Sequence, residues 1–262
     1  MIHGMVDNPL VFTMEELKRL PSVTRMHFIE CAGNRANRRH RTVQETHGMT
    51  SCAEWTGVLL STLLKEAGVQ DGGDWIVAEG VENVVGASSI HMAKAMDDCI
   101  VCYGMNGEAV RPQQGFPLRL LVPGFEGILN VKWLRRIKVV DQFYMTYNDY
   151  GHLRQDSDDA ALGMQIGPKS VITYPSGGQQ LPGRGFYEVS GLAWSGGGAV
   201  ADGEASDRDF IGIHRELALH RNCRVGVLPD DLGLRPIGTR DHHFLGSSLE
   251  PIQHAHRGPR VR

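Results

Sequence analysis

The chain has 262 residues, of which 41% are hydrophobic and 22% charged, and its net charge is -3. That length allows one large domain, or one domain and a smaller second one. The slightly acidic balance leaves no electrostatic footprint for nucleic acid, and no apolar run approaches the roughly 20 residues of a membrane helix. Five cysteines, Cys31, Cys52, Cys99, Cys102 and Cys223, are an odd number in a chain of this size and argue against a disulfide framework.

The opening MIHGMVDNPLVF has neither the basic region nor the apolar core of a signal peptide, so the chain as written carries no export address. Thr13 followed by Glu16 is a capping box, which predicts a short helix ending before Pro21. Met26 to Glu30 reads as a strand, with Cys31 at its end and a Gly33-Asn34 turn behind it. A basic run follows: Arg35, Arg38, Arg39, His40 and Arg41. Leu59, Leu60, Leu63 and Leu64 make a helical stripe in Thr56 to Ala67, stopped at Gly68. Strands are expected at Trp75 to Ala78, Cys99 to Tyr103, Phe116 to Pro123 and Trp133 to Val140, with a short helix at Met92 to Met96. Asn106-Gly107 is a hairpin signal. Residues 150–185 are polar and rich in Gly and Pro and read as a connector; Phe186 to Trp194 reads as a strand pair opening a β domain. From Gly196 onward the alternation fails, and half of the 12 histidines lie after residue 210.

Cys31 is the residue on which function turns. A lone cysteine at a strand end is ordinarily a small buried hydrophobe. The glycine turn after it lets backbone approach a ligand closely, and the positive charge beyond favours the thiolate, which binds soft metals or attacks electrophiles. Metal ligand and thiol nucleophile are both open on these grounds. The basic run is either a solvated face or an anion pocket, since arginine forks match sulfur and phosphorus oxyanions; Arg119, Lys132, Arg135 and Arg136 could join it. Cys99-x-x-Cys102 has no second pair for zinc and, on a strand, points its two thiols to opposite faces, so core packing is its reading.

Two blocks resemble a known family. FIECAGNR, ending at Arg35, resembles the cysteine loop of the sulfite oxidase family, and the later YGMNGE...QQGFPLRLLVPGFEGILNVKWLRRI resembles a second block of it in the same order. KSVITYPSGGQQLPGRGFYEVSGLAWSG is similar to the SoxC-type sulfane dehydrogenase branch, and the similarity runs from residue 1 to about 200. The resemblance implies a molybdenum-molybdopterin cofactor (Moco), with Cys31 as the thiolate ligand of the metal. It further implies Asn34, Gln114, Arg119 and Lys132 as cofactor-binding residues, and Arg35 and Tyr150 as catalytic residues beside Cys31; Glu82 falls near a family acidic position. The implied activity is oxidation of a sulfur substrate, either sulfane sulfur on a carrier protein or sulfite. Electrons would pass to a c-type cytochrome, in the periplasm, with the dimeric assembly of the family and no nucleic-acid or membrane partner.

The expected fold is α+β: a mixed sulfite-oxidase-type molybdopterin-binding domain over residues 1–165, then the start of an immunoglobulin-like β-sandwich dimerisation domain over 166–200. Residues 201–262 read as a divergent, disordered tail, truncated or frame-shifted relative to the family. Gln114 stands where many relatives carry a histidine, and the chain begins inside the family domain, so an earlier segment with cofactor contacts is expected to be missing. A cofactor-binding or interaction module without turnover is the alternative function. A metal-free cysteine enzyme ranks lowest, because no ordered Cys-His-Asn set is visible.

Overall fold

A computed structural model describes residues 1–34, 42–82, 86–152, 164–174, 187–198 and 225–227. It is a mixed α+β structure with three sheets. The first is a four-stranded sheet in the order β1 (Ile2–Gly4), β9 (Leu134–Val140), β4 (Trp75–Gly80), β5 (Ala87–His91). Its β1–β9 pair is parallel, and the others are antiparallel. The second runs β2 (Val23–Glu30), β3 (Thr50–Leu59), β6 (Ile100–Met105); the far edge of β6 is shared by β7 (Glu108–Ala109) and β8 (Arg119–Leu121). The third is β10 (Lys169–Tyr174), β11 (Tyr187–Trp194) and β12 (Val225–Val227), all antiparallel.

Local chemistry explains several elements. Thr13 caps α1 (Met14–Arg19): its hydroxyl accepts from the Glu16 N–H while the Glu16 carboxylate accepts from the Thr13 N–H, as the capping box predicts. Thr42 and Glu45 do the same for α2 (Val43–His47). The β6–β7 hairpin turns on Asn106 and Gly107, both at positive φ (52° and 76°), the two-residue geometry that matches strand twist. Gly68, at φ 69°, ends α3 (Leu60–Ala67) and donates its N–H to the Leu64 carbonyl.

Three expectations are revised. Thr56 to Leu59 belongs to β3, not to the leucine-rich helix, because Thr56, Gly57 and Val58 are bonded into the sheet between β2 and β6. The strand expected over Phe116 to Pro123 is Arg119–Leu121 alone; Pro117, after a cis peptide bond, and Pro123 have no N–H to give a ladder. The supposed connector contains β10, and Phe186 to Trp194 supplies one strand of the third sheet instead of a pair. The described part of the 201–262 tail is β12.

The main core lies between the first two sheets and under α3 and α4 (Met92–Asp97), where Leu60, Leu63, Leu64 and Ala67 present one apolar face to Val58, Ile76 and Ile137. The second sheet is buried on its other face too, through Trp55, Ile100, Cys102 and Leu121. Cys99 and Cys102 thus sit in different clusters, as strand alternation requires, and burial pushes the Cys102 thiol up to about 12. A third cluster, Phe28, Ile166 and Trp194, joins the end of β2 to the third sheet. Among the described residues, no helix is long and apolar enough to cross a membrane.

Candidate active site

β2 alternates toward its end, so that Phe28 and Glu30 turn inward and the chain emerges at Cys31. The turn that follows is closed by the Asn34 N–H donating to the Cys31 carbonyl at 2.9 Å. The Cys31 N–H donates to the Met49 carbonyl at 3.1 Å, which keeps the cysteine in register with the start of β3. The thiol itself is free and exposed, and the Gly33 N–H points at its sulfur at 3.4 Å. A soft metal takes such a thiol in its thiolate form.

Asn34 is buried and works in three directions. Its amide nitrogen donates to the Glu30 carboxylate at 3.0 Å and to the Thr50 hydroxyl, and its amide oxygen accepts from the Met49 N–H at 3.0 Å. The sequence reading made Asn34 a cofactor contact; here its side chain is used in holding the cysteine turn. Glu30 was not anticipated at all. It is fully buried and accepts from Asn34, from Lys169 and from the Trp194 indole, partners on β10 and β11. An acidic residue ending the apolar string FIE was the one local sign of it.

Gln114, Arg119 and Lys132 form a second group. Arg119 is 2% exposed. Its guanidinium stacks on Trp55, 4.9 Å from the ring centroid, and donates to the Gln114 carbonyl at 2.9 Å and the Asn130 carbonyl at 3.0 Å. The Gln114 side-chain oxygen lies at 3.5 Å from the same fork, and the Arg119 Nε has no hydrogen-bond partner among the described residues. Lys132 is exposed and donates to the Gln113 carbonyl at 2.7 Å, beside the ring of Trp133. The register places Arg119 opposite Cys102, Cys102 opposite Gly57, and Gly57 opposite Val23. Arg119 is therefore level with the start of β2, whereas Cys31 follows its end.

The electrostatics of this second group are unusual. The Arg119 bonds above go to neutral oxygens, and the Cys102 thiol, raised by burial, is uncharged near neutrality. Burial lowers the guanidinium to about 10 against a smaller opposing effect of Cys102, which still leaves it protonated. A buried cation facing neutral groups is costly unless an anion completes it.

Tyr150 lies on α5 (Tyr147–His152) with 83% of its surface exposed. That segment is pinned to β5: the buried Asp149 carboxylate accepts from the Ser89 N–H at 3.1 Å and the Thr146 N–H at 3.2 Å. Arg35 and the rest of the basic run, Arg38 to Arg41, lie outside the described residues.

These residues fit an extended, anionic metal cofactor. Cys31 offers one soft ligand in the open, Arg119 offers a buried positive charge with no anion beside it among the described residues, and Lys132 adds an exposed cation nearby. Among the described residues no group of three or more His, Cys, Asp or Glu could hold a metal by itself, and a cofactor that brings its own ligands needs only one thiolate from the protein.

Comparison with known proteins agrees. The family model for the oxidoreductase molybdopterin-binding domain matches residues 1–148. An NADH nitrate reductase from Brassica napus is 36% identical over 236 residues, which cover 75% of this chain and 26% of that protein. The mitochondrial sulfite oxidase of Drosophila melanogaster is 34% identical over 216 residues, 71% of this chain and 37% of that one. The chain thus spans about a quarter to a third of the length of these curated relatives. The crystal structure of the sulfane dehydrogenase SoxCD from Paracoccus pantotrophus matches with a TM-score of 0.76 and 36% identity, covering 88% of this chain and 63% of that chain. The chain belongs to the oxidoreductase molybdopterin-binding domain family, a group of molybdopterin oxidoreductases that includes sulfite oxidase.

Proposed function

We propose that this chain is the cofactor-binding catalytic part of a molybdenum-dependent sulfur oxidoreductase, with Cys31 as the protein ligand of the metal. The observation that carries the reading is the exposed Cys31 thiol, held on a closed turn with a backbone N–H directed at its sulfur. When bound, the cofactor supplies two-electron oxygen-atom exchange with a sulfur substrate. The protein's own part is to bind, orient and balance charge. Asn34 and Met49 keep the Cys31 turn in one conformation, so little ordering is left for metal binding to cost. Arg119, with Gln114 and Lys132 around it, receives the anionic end of the cofactor and offsets its charge. Arg35 and Tyr150 are the corresponding candidates for contacts with substrate.

Similarity to the sulfane dehydrogenase structure over most of the chain supports a sulfur compound as substrate. We take sulfane sulfur on a carrier protein, or sulfite, as the donor and a c-type cytochrome as the electron acceptor, in the periplasm. In the same reading the third sheet begins the immunoglobulin-like dimerisation domain, with the boundary near residue 165. Nitrate, the substrate in the names of other relatives, is the competitor to exclude.

The test is metal analysis of the full chain made in a host that synthesises the cofactor, beside Cys31→Ser. One molybdenum per wild-type chain, lost in the variant, is expected, together with reduction of the metal centre by sulfite or a persulfide and no turnover of nitrate. No molybdenum in either protein would defeat the reading, and nitrate reduction without sulfite oxidation would defeat the substrate assignment.

A further inference from the structure

Glu30 is the most deeply buried acidic group beside Cys31, and its partners come from far along the chain. Lys169 and Trp194 are direct cross-strand neighbours in the β10–β11 register, and both donate to the Glu30 carboxylate, one to each oxygen. Asn34 Nδ2 supplies a third donor at 3.0 Å. Lys169 does more: its ammonium also donates to the Asn34 backbone carbonyl at 2.9 Å. One lysine therefore holds both ends of the Cys31 turn, the carboxylate just before the cysteine and the Asn34 carbonyl at the end of the turn. The Trp194 ring is seated against Phe28 and Ile166 and meets His47 of α2 edge-on at 6.0 Å, so the indole donor is itself fixed in place.

A buried carboxylate is a poor source of net stability but a good source of geometric definition, since its lone pairs accept few arrangements of donors. Here every donor is on, or directly across from, the turn that presents the thiol. We infer that Glu30, Lys169 and Trp194 form a positioning node for Cys31, so that the β10–β11 pair completes the metal-binding turn. These are positioning residues: they act through Cys31 and Asn34. The inference rests on Cys31 being the metal ligand, and it extends that site into the sheet that follows the family-matched residues 1–148.

The test reads the thiol itself. In the full chain made without cofactor, alkylation of Cys31 by iodoacetamide is timed by mass spectrometry against Cys52, a second exposed cysteine on β3 that serves as internal clock. Glu30→Gln places an amide N–H2 where Lys169 or Trp194 donates, and Lys169→Met removes the double contact. Each is expected to speed Cys31 alkylation by roughly fivefold or more, the equivalent of about one net hydrogen bond, with the Cys52 rate unchanged. Lys169→Arg, which keeps a cationic donor, is expected to restore the wild-type rate. Unchanged Cys31 rates in both variants overturn the node, and so does a parallel rise at Cys52, which would mean general loosening. The same variants made with cofactor are expected to lose molybdenum faster on dialysis than wild type. Failure of the ligand reading has a separate signature, molybdenum retained in Cys31→Ser, and it leaves the alkylation result to decide the node.

Discussion

Arg119→Met separates a residue kept for the fold from one kept for a ligand. Methionine preserves an unbranched stem against Trp55 and removes the charge. Three stabilising contributions disappear: the bonds to the Gln114 and Asn130 carbonyls and the stacking on Trp55. Two net hydrogen bonds contribute about 1 kcal/mol each, and a desolvated cation–π contact about 2 kcal/mol. Against this stands the cost of burying a guanidinium at 2% exposure with no anion beside it among the described residues, which is several kcal/mol. The two sides nearly cancel. The cofactor-free variant is therefore expected to unfold in urea within about 2 kcal/mol of wild type. With an anion in place the balance changes, because removing one partner of a buried pair costs about 3–5 kcal/mol, or at least roughly 100-fold in affinity. Molybdenum per chain after exhaustive dialysis is expected to fall accordingly, with Arg119→Lys intermediate because it keeps the charge but loses the fork. A variant strongly destabilised without cofactor yet retaining full metal would refute the reasoning and make Arg119 a fold residue.

Stability should also follow pH through the partly buried histidines. His27 and His47 are lowered from 6.5, first by burial, and His3 likewise, with Arg136 and Lys138 adding to the effect. Between the folded-state values and 6.5 the unfolded chain takes up protons that the folded chain refuses, so stability falls as pH drops through that window. Urea midpoints of the cofactor-free chain should decline from about pH 7 downward, and His27→Gln should flatten the decline; a midpoint that rises on acidification would contradict the sign. In the core, Leu64→Ala should cost about 2–5 kcal/mol, since Leu64 is fully buried on α3. Leu192→Ala on β11, 42% exposed, should cost well under half of that by the same denaturation assay.

The short-range elements were legible because their causes are short-range. Thr13 and Glu16 satisfy each other's backbone donors three residues apart, and Asn106-Gly107 accepts the positive φ of a tight hairpin. Cys31 at a strand end before a glycine turn could be read in the same way, and the two family-like blocks are the ground for its proposed role as metal ligand. Where neighbours in space override local preference, reading failed. The leucines at 59 and 60 continue a helical stripe, but β2 and β6 claim Thr56 to Leu59 as a central strand. Lys169–Tyr174 looked like a connector because its partner strand follows an intervening stretch rich in Gly and Pro.

By itself, then, the sequence determined a mixed fold, a cysteine on a turn at a strand end, and an arginine that by resemblance matches an anion-binding position. The tertiary structure decided what surrounds them. It buried Arg119 among neutral carbonyls and gave Asn34 the task of closing the turn. It also brought Lys169 and Trp194 onto Glu30 across separations of 139 and 164 residues. No local pattern encodes such a meeting, because a buried carboxylate is stabilised by whichever donors packing delivers to it.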